Sequence, residues 1–223
     1  MVAIARPSHF GMACVALLAC AATPAMAQDG GRFSAAITGG TLGIGPEIGY
    51  RFNENFGVRG NATFLNFSHD FDSDDLEYGG KLKLRSGGIM VDAYPFGGGF
   101  RISAGARING NKGRVVARPI DDTVTINGVE YAVPPDGNVR GNAETKDFVP
   151  ALTLGYGGTN RSGFLFGIEA GALFQGKVRI RDFTTNIPGV TAADLEAERL
   201  SIQDDVDDYK VYPIVQITLG YRF

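Results

Sequence analysis

The chain has 223 residues, 44% of them hydrophobic and 20% charged, with 32 glycines and no tryptophan. Such a composition supports one sizeable core and excludes a disordered chain. The 21 Lys and Arg against 24 Asp and Glu leave a net charge of −3, so no basic excess speaks for nucleic acid as a partner.

Residues 1–27 read as a cleaved secretory signal peptide: Arg6 is basic, Phe10 to Ala22 is an apolar run too short to span a bilayer, and Ala25-Met26-Ala27 is a small-residue cleavage box. Lipoprotein processing at Cys20 is the rival reading and ranks behind it, because Leu18 fits a lipobox poorly. Residues 28–223 then form one domain. Both cysteines, Cys14 and Cys20, leave with the signal, so disulfides and thiolate metal sites are not expected. No later stretch approaches 18 consecutive apolar residues, which excludes a helical membrane span.

The rest of the chain alternates with a period of two, the signature of strands with one apolar face. Phe33, Ala35 and Ile37 open on one parity. Leu42, Ile44, Pro46, Ile48, Tyr50 and Phe52 follow on the other, so Gly39-Gly40 is either a tight hairpin or a bulge. Phe56, Val58, Ala62 and Phe64 alternate with Arg59, Asn61 and Thr63. Between Tyr78 and Tyr94 the apolar parity changes across Ser86-Gly87-Gly88, where a bulge is expected. Phe100, Ile102, Ala104, Ala106 and Ile108, then Phe148 to Tyr156, Phe164 to Phe174 and Val211 to Phe223 repeat the pattern.

Alternation alone does not say which face meets water; the aromatic positions do. Tyr50, Phe52, Phe56, Phe100, Tyr156, Phe164, Phe166, Tyr221 and Phe223 lie beside short connections or the chain end, whereas Phe64, Phe148, Phe174 and Tyr209 lie at the opposite strand ends. Eight residues separate Phe56 from Phe64 and Phe148 from Tyr156, or ~20 Å at ~3.3 Å per residue and a tilt of about 40°. Two aromatic girdles at that spacing bound the apolar band of an outer-membrane barrel. Short connections (Asn53-Glu54-Asn55, Pro95 to Gly99, Gly158 to Ser162) alternate with long ones (Asp70 to Glu77, Ala117 to Ala143, Asp182 to Val206). The expected fold is therefore all-β: an antiparallel up-and-down transmembrane β-barrel with short periplasmic turns and longer extracellular loops. Eight strands are preferred over seven, because even counts are the rule.

The closing Tyr212-Pro-Ile-Val-Gln-Ile-Thr-Leu-Gly-Tyr-Arg-Phe223 resembles the terminal strand of bacterial outer-membrane proteins, with a final Phe and an aromatic two before it. In size and layout the domain is similar to small barrels of the OmpA-transmembrane, OmpX, OmpW and opacity-protein type. That resemblance implies a Gram-negative outer membrane as location, lipid and lipopolysaccharide as surroundings, and the barrel-assembly machinery as a partner reading the strand that ends in Phe223. The tethering role of full OmpA-like proteins is not carried over, since no peptidoglycan-binding domain is expected.

Candidate chemistry is sparse. Glu47, Asp92 and Glu169, facing Arg59, Arg101 and Arg107 on the polar parity, are expected to form a hydrogen-bonded plug in a lumen just wide enough for side chains. The OmpA-like resemblance implies the alternative of a gated ion path, and Arg51 and Arg222 are expected at the periplasmic rim. His69 is adjacent to Ser68, and neighbouring strand residues point to opposite faces, so no catalytic dyad is expected and the protein is read as no enzyme. Asp70, Asp72, Asp74, Asp75 and Glu77 fail as an EF-hand, with Asp75 at the Gly position and Lys81 at the Glu position; no metal or cofactor is expected there or elsewhere. They and Asp204, Asp205, Asp207 and Asp208 are read as solvated loop charge, with divalent bridging to lipopolysaccharide as the lesser reading. Thr191-x-x-Asp194 predicts a helix N-terminus with Leu195, Ile202 and Val206 at helical spacing, and Asn127-Gly128 predicts a type I′ hairpin. These loop elements are the expected surface for an extracellular ligand.

Overall fold

The computed structural model describes residues 32–73, 76–158 and 162–223. The signal-peptide reading, together with Asp74 and Asp75, lies outside them. Thirteen strands and one helix are formed among the described residues: β1 (Phe33–Gly40), β2 (Gly43–Arg51), β3 (Phe56–Ser73), β4 (Leu76–Ala93), β5 (Phe100–Asn109), β6 (Lys112–Pro119), β7 (Thr123–Ile126), β8 (Val129–Ala132), β9 (Val139–Glu144), β10 (Phe148–Gly157), β11 (Gly163–Leu173), β12 (Arg179–Thr185), α1 (Ala192–Val206) and β13 (Tyr212–Arg222).

Among the described residues, eight strands pair antiparallel in a closed ring. It runs β1, β2, β3, β4, β5, β10, β11, β13 and returns to β1, with Ser34 opposite Arg222 at the closure. Closure follows from the solvent: hydrocarbon offers no hydrogen bonds, so a spanning sheet has no edge to spare. The chain is thus an antiparallel transmembrane β-barrel. The turns after β2 and β4 and the adjoining ends of β10 and β11 form the periplasmic end, with the start of β1 and the end of β13 beside them, and the long excursions leave the extracellular end.

The apolar parity faces outward. Ile37, Ile48, Ile89, Ile102, Leu154, Ile168 and Ile217 are all exposed on the barrel wall, while the intervening polar residues are buried. Of the thirteen aromatics named from the sequence, twelve are exposed, and Phe100 is half-buried beside Phe96. At the periplasmic end Phe33, Phe223 and Tyr221 pack ring against ring.

Four expectations are corrected. The first hairpin turns at Thr41-Leu42, two residues beyond Gly39-Gly40, with Gly40 opposite Gly43. A Cβ on Gly40 would stand 2.0 Å from the Val215 carbonyl oxygen, so this tight approach to β13 requires glycine. Leu42, read as outward, instead folds into the barrel mouth and is 3% exposed. The turn is pinned there because Thr41 N–H donates to the Val215 carbonyl and Tyr212 Oη donates to that of Thr41.

No bulge interrupts β4 at Ser86-Gly87-Gly88: its register with β3 runs unbroken from Phe56–Ala93 to Ser73–Leu76. The apparent change of parity has another origin. Beyond Arg85 the strand leaves the lipid and pairs with β6, so hydrocarbon no longer selects its outer residues. Lastly, much of the sequence read as long loops is strand. β6, β9 and β12 extend the wall from β4 as an extracellular sheet.

The helix and hairpin read from the extracellular sequence are present and docked together. Thr191 caps α1 and its Oγ1 accepts from Asp194 N–H. Asn127 (φ 52°) and Gly128 (φ 75°) make the type I′ turn of β7–β8. Asn127 Nδ2 and Tyr131 Oη both donate to the Asp194 carboxylate, at 3.1 and 2.7 Å. These bonds, led by the Thr191 hydroxyl and followed by Asn127, hold the Asp194 carboxyl below its ordinary range. A carboxylate lowered in this way stabilises the docked loop above its unfolded pKa, and the contribution disappears as pH falls through the folded value. We therefore expect acidification below about pH 4, or Asp194→Asn at neutral pH, to speed amide exchange in residues 123–132 and 192–198 while the barrel strands stay protected. Unchanged exchange in the loop would remove Asp194 as its clasp.

Candidate functional site

The lumen is filled in layers. At the extracellular mouth Leu42, Met90, Val149, Ala151, Leu173 and Ile214 form a buried apolar cap, with Tyr212 packed against it. Leu165 and Leu173 on β11 are both buried inward.

Below the cap lies a polar layer around Arg107, which donates to Asn61 Oδ1 at 2.7 Å and to Ser86 Oγ from Nε and Nη2. Arg107 was expected to face an acid. Its hydrogen bonds instead go to neutral side chains, because β5 places it opposite Gly88 on β4 and Val149 on β10.

Arg59 is the hub of the next layer and meets all three predicted acids. Nη1 is 3.2 Å from Glu47 Oε2, Nε is 2.8 Å from Asp92 Oδ2, and Nη2 is 2.6 Å from Glu169 Oε2. Arg101 Nη2 reaches the same Glu169 oxygen at 2.7 Å. Remaining acceptor capacity is taken up locally: Asn61 Nδ2 donates to Glu47, and Ser103 Oγ and Tyr94 Oη donate to Asp92. A buried guanidinium that meets three carboxylates, each held by further donors, is the arrangement in which a desolvated ion cluster is tolerated, although Arg101 Nε and Thr153 Oγ1 are buried without a partner among the described residues.

Arg51 closes the periplasmic end. Its guanidinium donates to the Asn53, Gly97 and Gly98 carbonyls and also bonds that of Glu54, and it stacks over the Tyr94 ring at 3.9 Å. This ties two periplasmic turns to the lumen. Arg222 is also buried at that end.

Among the described residues a small cavity lies on each side of the Arg59 layer. The periplasmic one, about 20 Å³, is lined by Arg51, Tyr94, Arg101 and Arg222; the extracellular one, about 10 Å³, by Leu42, Met90, Asn61, Arg107 and Gln216. Each has room for about one water molecule. Both amide atoms of Gln216 are buried with no hydrogen-bond partner among the described residues.

The cluster gathers Arg59, Glu47, Asp92, Glu169 and Arg101 as one unit and sets Arg107 apart. Sequence reasoning missed Asn61, Ser103 and Tyr94 as members, and Ser86 as the partner of Arg107. Asn61, Ser86 and Ser103 lie on the inward parity of their strands and Tyr94 continues that of β4 one residue past its end, which was the available signal. His69 lies outside this site on the exposed part of β3, with its ring stacked on Phe67 at 5.9 Å. Among the described residues no group of three or more metal-ligating side chains is formed.

No protein-family profile and no curated protein sequence matches the chain. Solved structures do resemble it. Acinetobacter baumannii CarO2 is 17% identical, with a TM-score of 0.65 over 86% of this chain and 98% of that one. Acinetobacter baumannii CarO is 18% identical, with a TM-score of 0.61 over 85% and 97%. At this identity the likeness is one of fold alone.

Proposed function

We propose that this chain is an integral outer-membrane protein of a Gram-negative cell with a closed bore, exported by its N-terminal signal and assembled through the strand that ends in Phe223. Its work is done outside the lumen, without enzymatic chemistry: the barrel anchors a built extracellular platform of sheet, hairpin and helix for envelope stability or surface contact. The observation that carries this reading is the Arg59 layer, which fills the lumen with buried ion pairs and, among the described residues, has single-water cavities above and below it.

The test is conductance. Reconstituted in planar bilayers, the barrel is expected to give no steady single-channel openings. Regular openings whose ion selectivity reverses in Glu169→Lys would overturn the closed-bore reading. That second reading, a gated narrow path, draws on the buried Gln216 amide, which only water or an ion is placed to serve. Lipid A mass spectra with and without the gene are expected to be identical, and a shifted acyl pattern would establish an enzyme instead.

A further inference from the structure

The extracellular sheet continues the outer wall of the barrel upward, and its two faces differ. Side chains that pair directly across antiparallel strands share a face, so the registers define rows. One row runs Asn66, Lys83, Lys112, Glu144 and Arg179 across β3, β4, β6, β9 and β12; the next runs Ser68, Lys81, Arg114, Asn142 and Arg181. Six of these ten residues are cationic and one is acidic, in a chain whose net charge is −3. All six cations are exposed.

Two features make this more than a solvated face. Lys83 is directly opposite Lys112, and Lys81 directly opposite Arg114. Like charges at paired positions destabilise a sheet, and Glu144, which reaches Lys112 at 3.1 Å and Arg181 at 3.6 Å, is the one acid in the two rows. The basic face is also continuous with the lipid-facing wall. On β4 the outward residues read Val91, Ile89, Gly87, Arg85, Lys83, Lys81, and Arg85 is paired with the girdle residue Phe64. At ~3.3 Å per residue and a tilt of about 40°, Lys83 and Lys81 stand ~5 and ~10 Å above that girdle, at the depth of lipid headgroups.

The geometry points to a binding face for the phosphate groups of an anionic outer-leaflet glycolipid, with Lys81, Lys83, Lys112, Arg114, Arg179 and Arg181 as its ligands. Bridging phosphates would relieve the two like-charge pairs, and lipid held there would brace a sheet that stands clear of the barrel. The inference rests on the outer-membrane reading above. It also moves the glycolipid contact from the acidic loops, where sequence suggested divalent bridging, to the basic wall.

The test uses the full mature barrel in detergent micelles and native mass spectrometry, with diphosphoryl lipid A as probe. A variant carrying Lys81→Gln, Lys83→Gln, Arg114→Gln and Arg181→Gln is expected to bind at least about tenfold more weakly. A control with the exposed Lys146→Gln and Lys210→Gln, away from these rows, is expected to match the parent. Dephosphorylated lipid A is expected to bind the parent as weakly as the fourfold variant binds the phosphorylated form. Equal binding by parent and fourfold variant, or by the two forms of lipid A, would overturn the inference, and inorganic phosphate competing at similar concentration would assign the face to free anions instead. Barrel insertion into phosphatidylethanolamine vesicles, read by heat-modified gel mobility, separates the two levels: insertion without phosphate selectivity sinks this face alone, and failure to insert sinks the outer-membrane reading with it.

Discussion

Replacing Arg59 with methionine is expected to cost the barrel about 3–5 kcal/mol of unfolding free energy, the usual result of breaking a buried ion cluster by removing one partner. Methionine keeps much of the volume, so the loss is electrostatic. Asp92 is fully buried, and Glu47 and Glu169 are nearly so. Without the hub Glu169 keeps a cation, Arg101, within salt-bridge distance, while Glu47 keeps its bond from Asn61 and Asp92 its bonds from Ser103 and Tyr94, all neutral donors. Arg107→Met is the informative contrast. It strands the neutral groups Asn61 and Ser86, so its cost is expected at about 1–3 kcal/mol. Urea unfolding in lipid vesicles, followed by circular dichroism because the chain has no tryptophan, measures both. Equal losses for the two variants would remove Arg59 from its place as hub.

The second large effect belongs to the wall. Ile168 lies opposite Ile217 on the outer face and is 51% exposed, almost the same as Leu200 on α1 at 50%. The two differ in what surrounds them. Ile168→Arg puts a guanidinium against hydrocarbon in the periplasmic half of the band, two residues inside Phe166 and opposite Tyr156, at about 1–3 kcal/mol. Leu200→Arg puts it in water and is expected to stay within about 0.5 kcal/mol. Two neutral substitutions in the same unfolding assay would mean that water, and not lipid, covers the barrel.

Every lumenal charge named from the sequence is buried inward, because parity on a lipid-facing strand is a local property: each residue independently meets hydrocarbon or the axis. Which charges touch is another matter. Arg59 on β3 reaches Glu169 on β11 across the lumen, and Arg107 meets no predicted acid, because side-chain reach across a closed ring depends on the stagger of strands far apart in sequence.

Taken alone, the sequence determined the outward apolar parity, the aromatic ends of the strands, the capped helix at Thr191 and the Asn127-Gly128 turn. Each of these is set by neighbours within a few positions and by the solvent they face. Only the tertiary structure decided that Leu42 closes the mouth, that Arg59 is the hub, and that β3 and β4 rise past the membrane to carry β6, β9 and β12. Those features depend on the register between distant strands. Above the girdle there is no hydrocarbon to write an apolar parity into the sequence, so strands there read as loops.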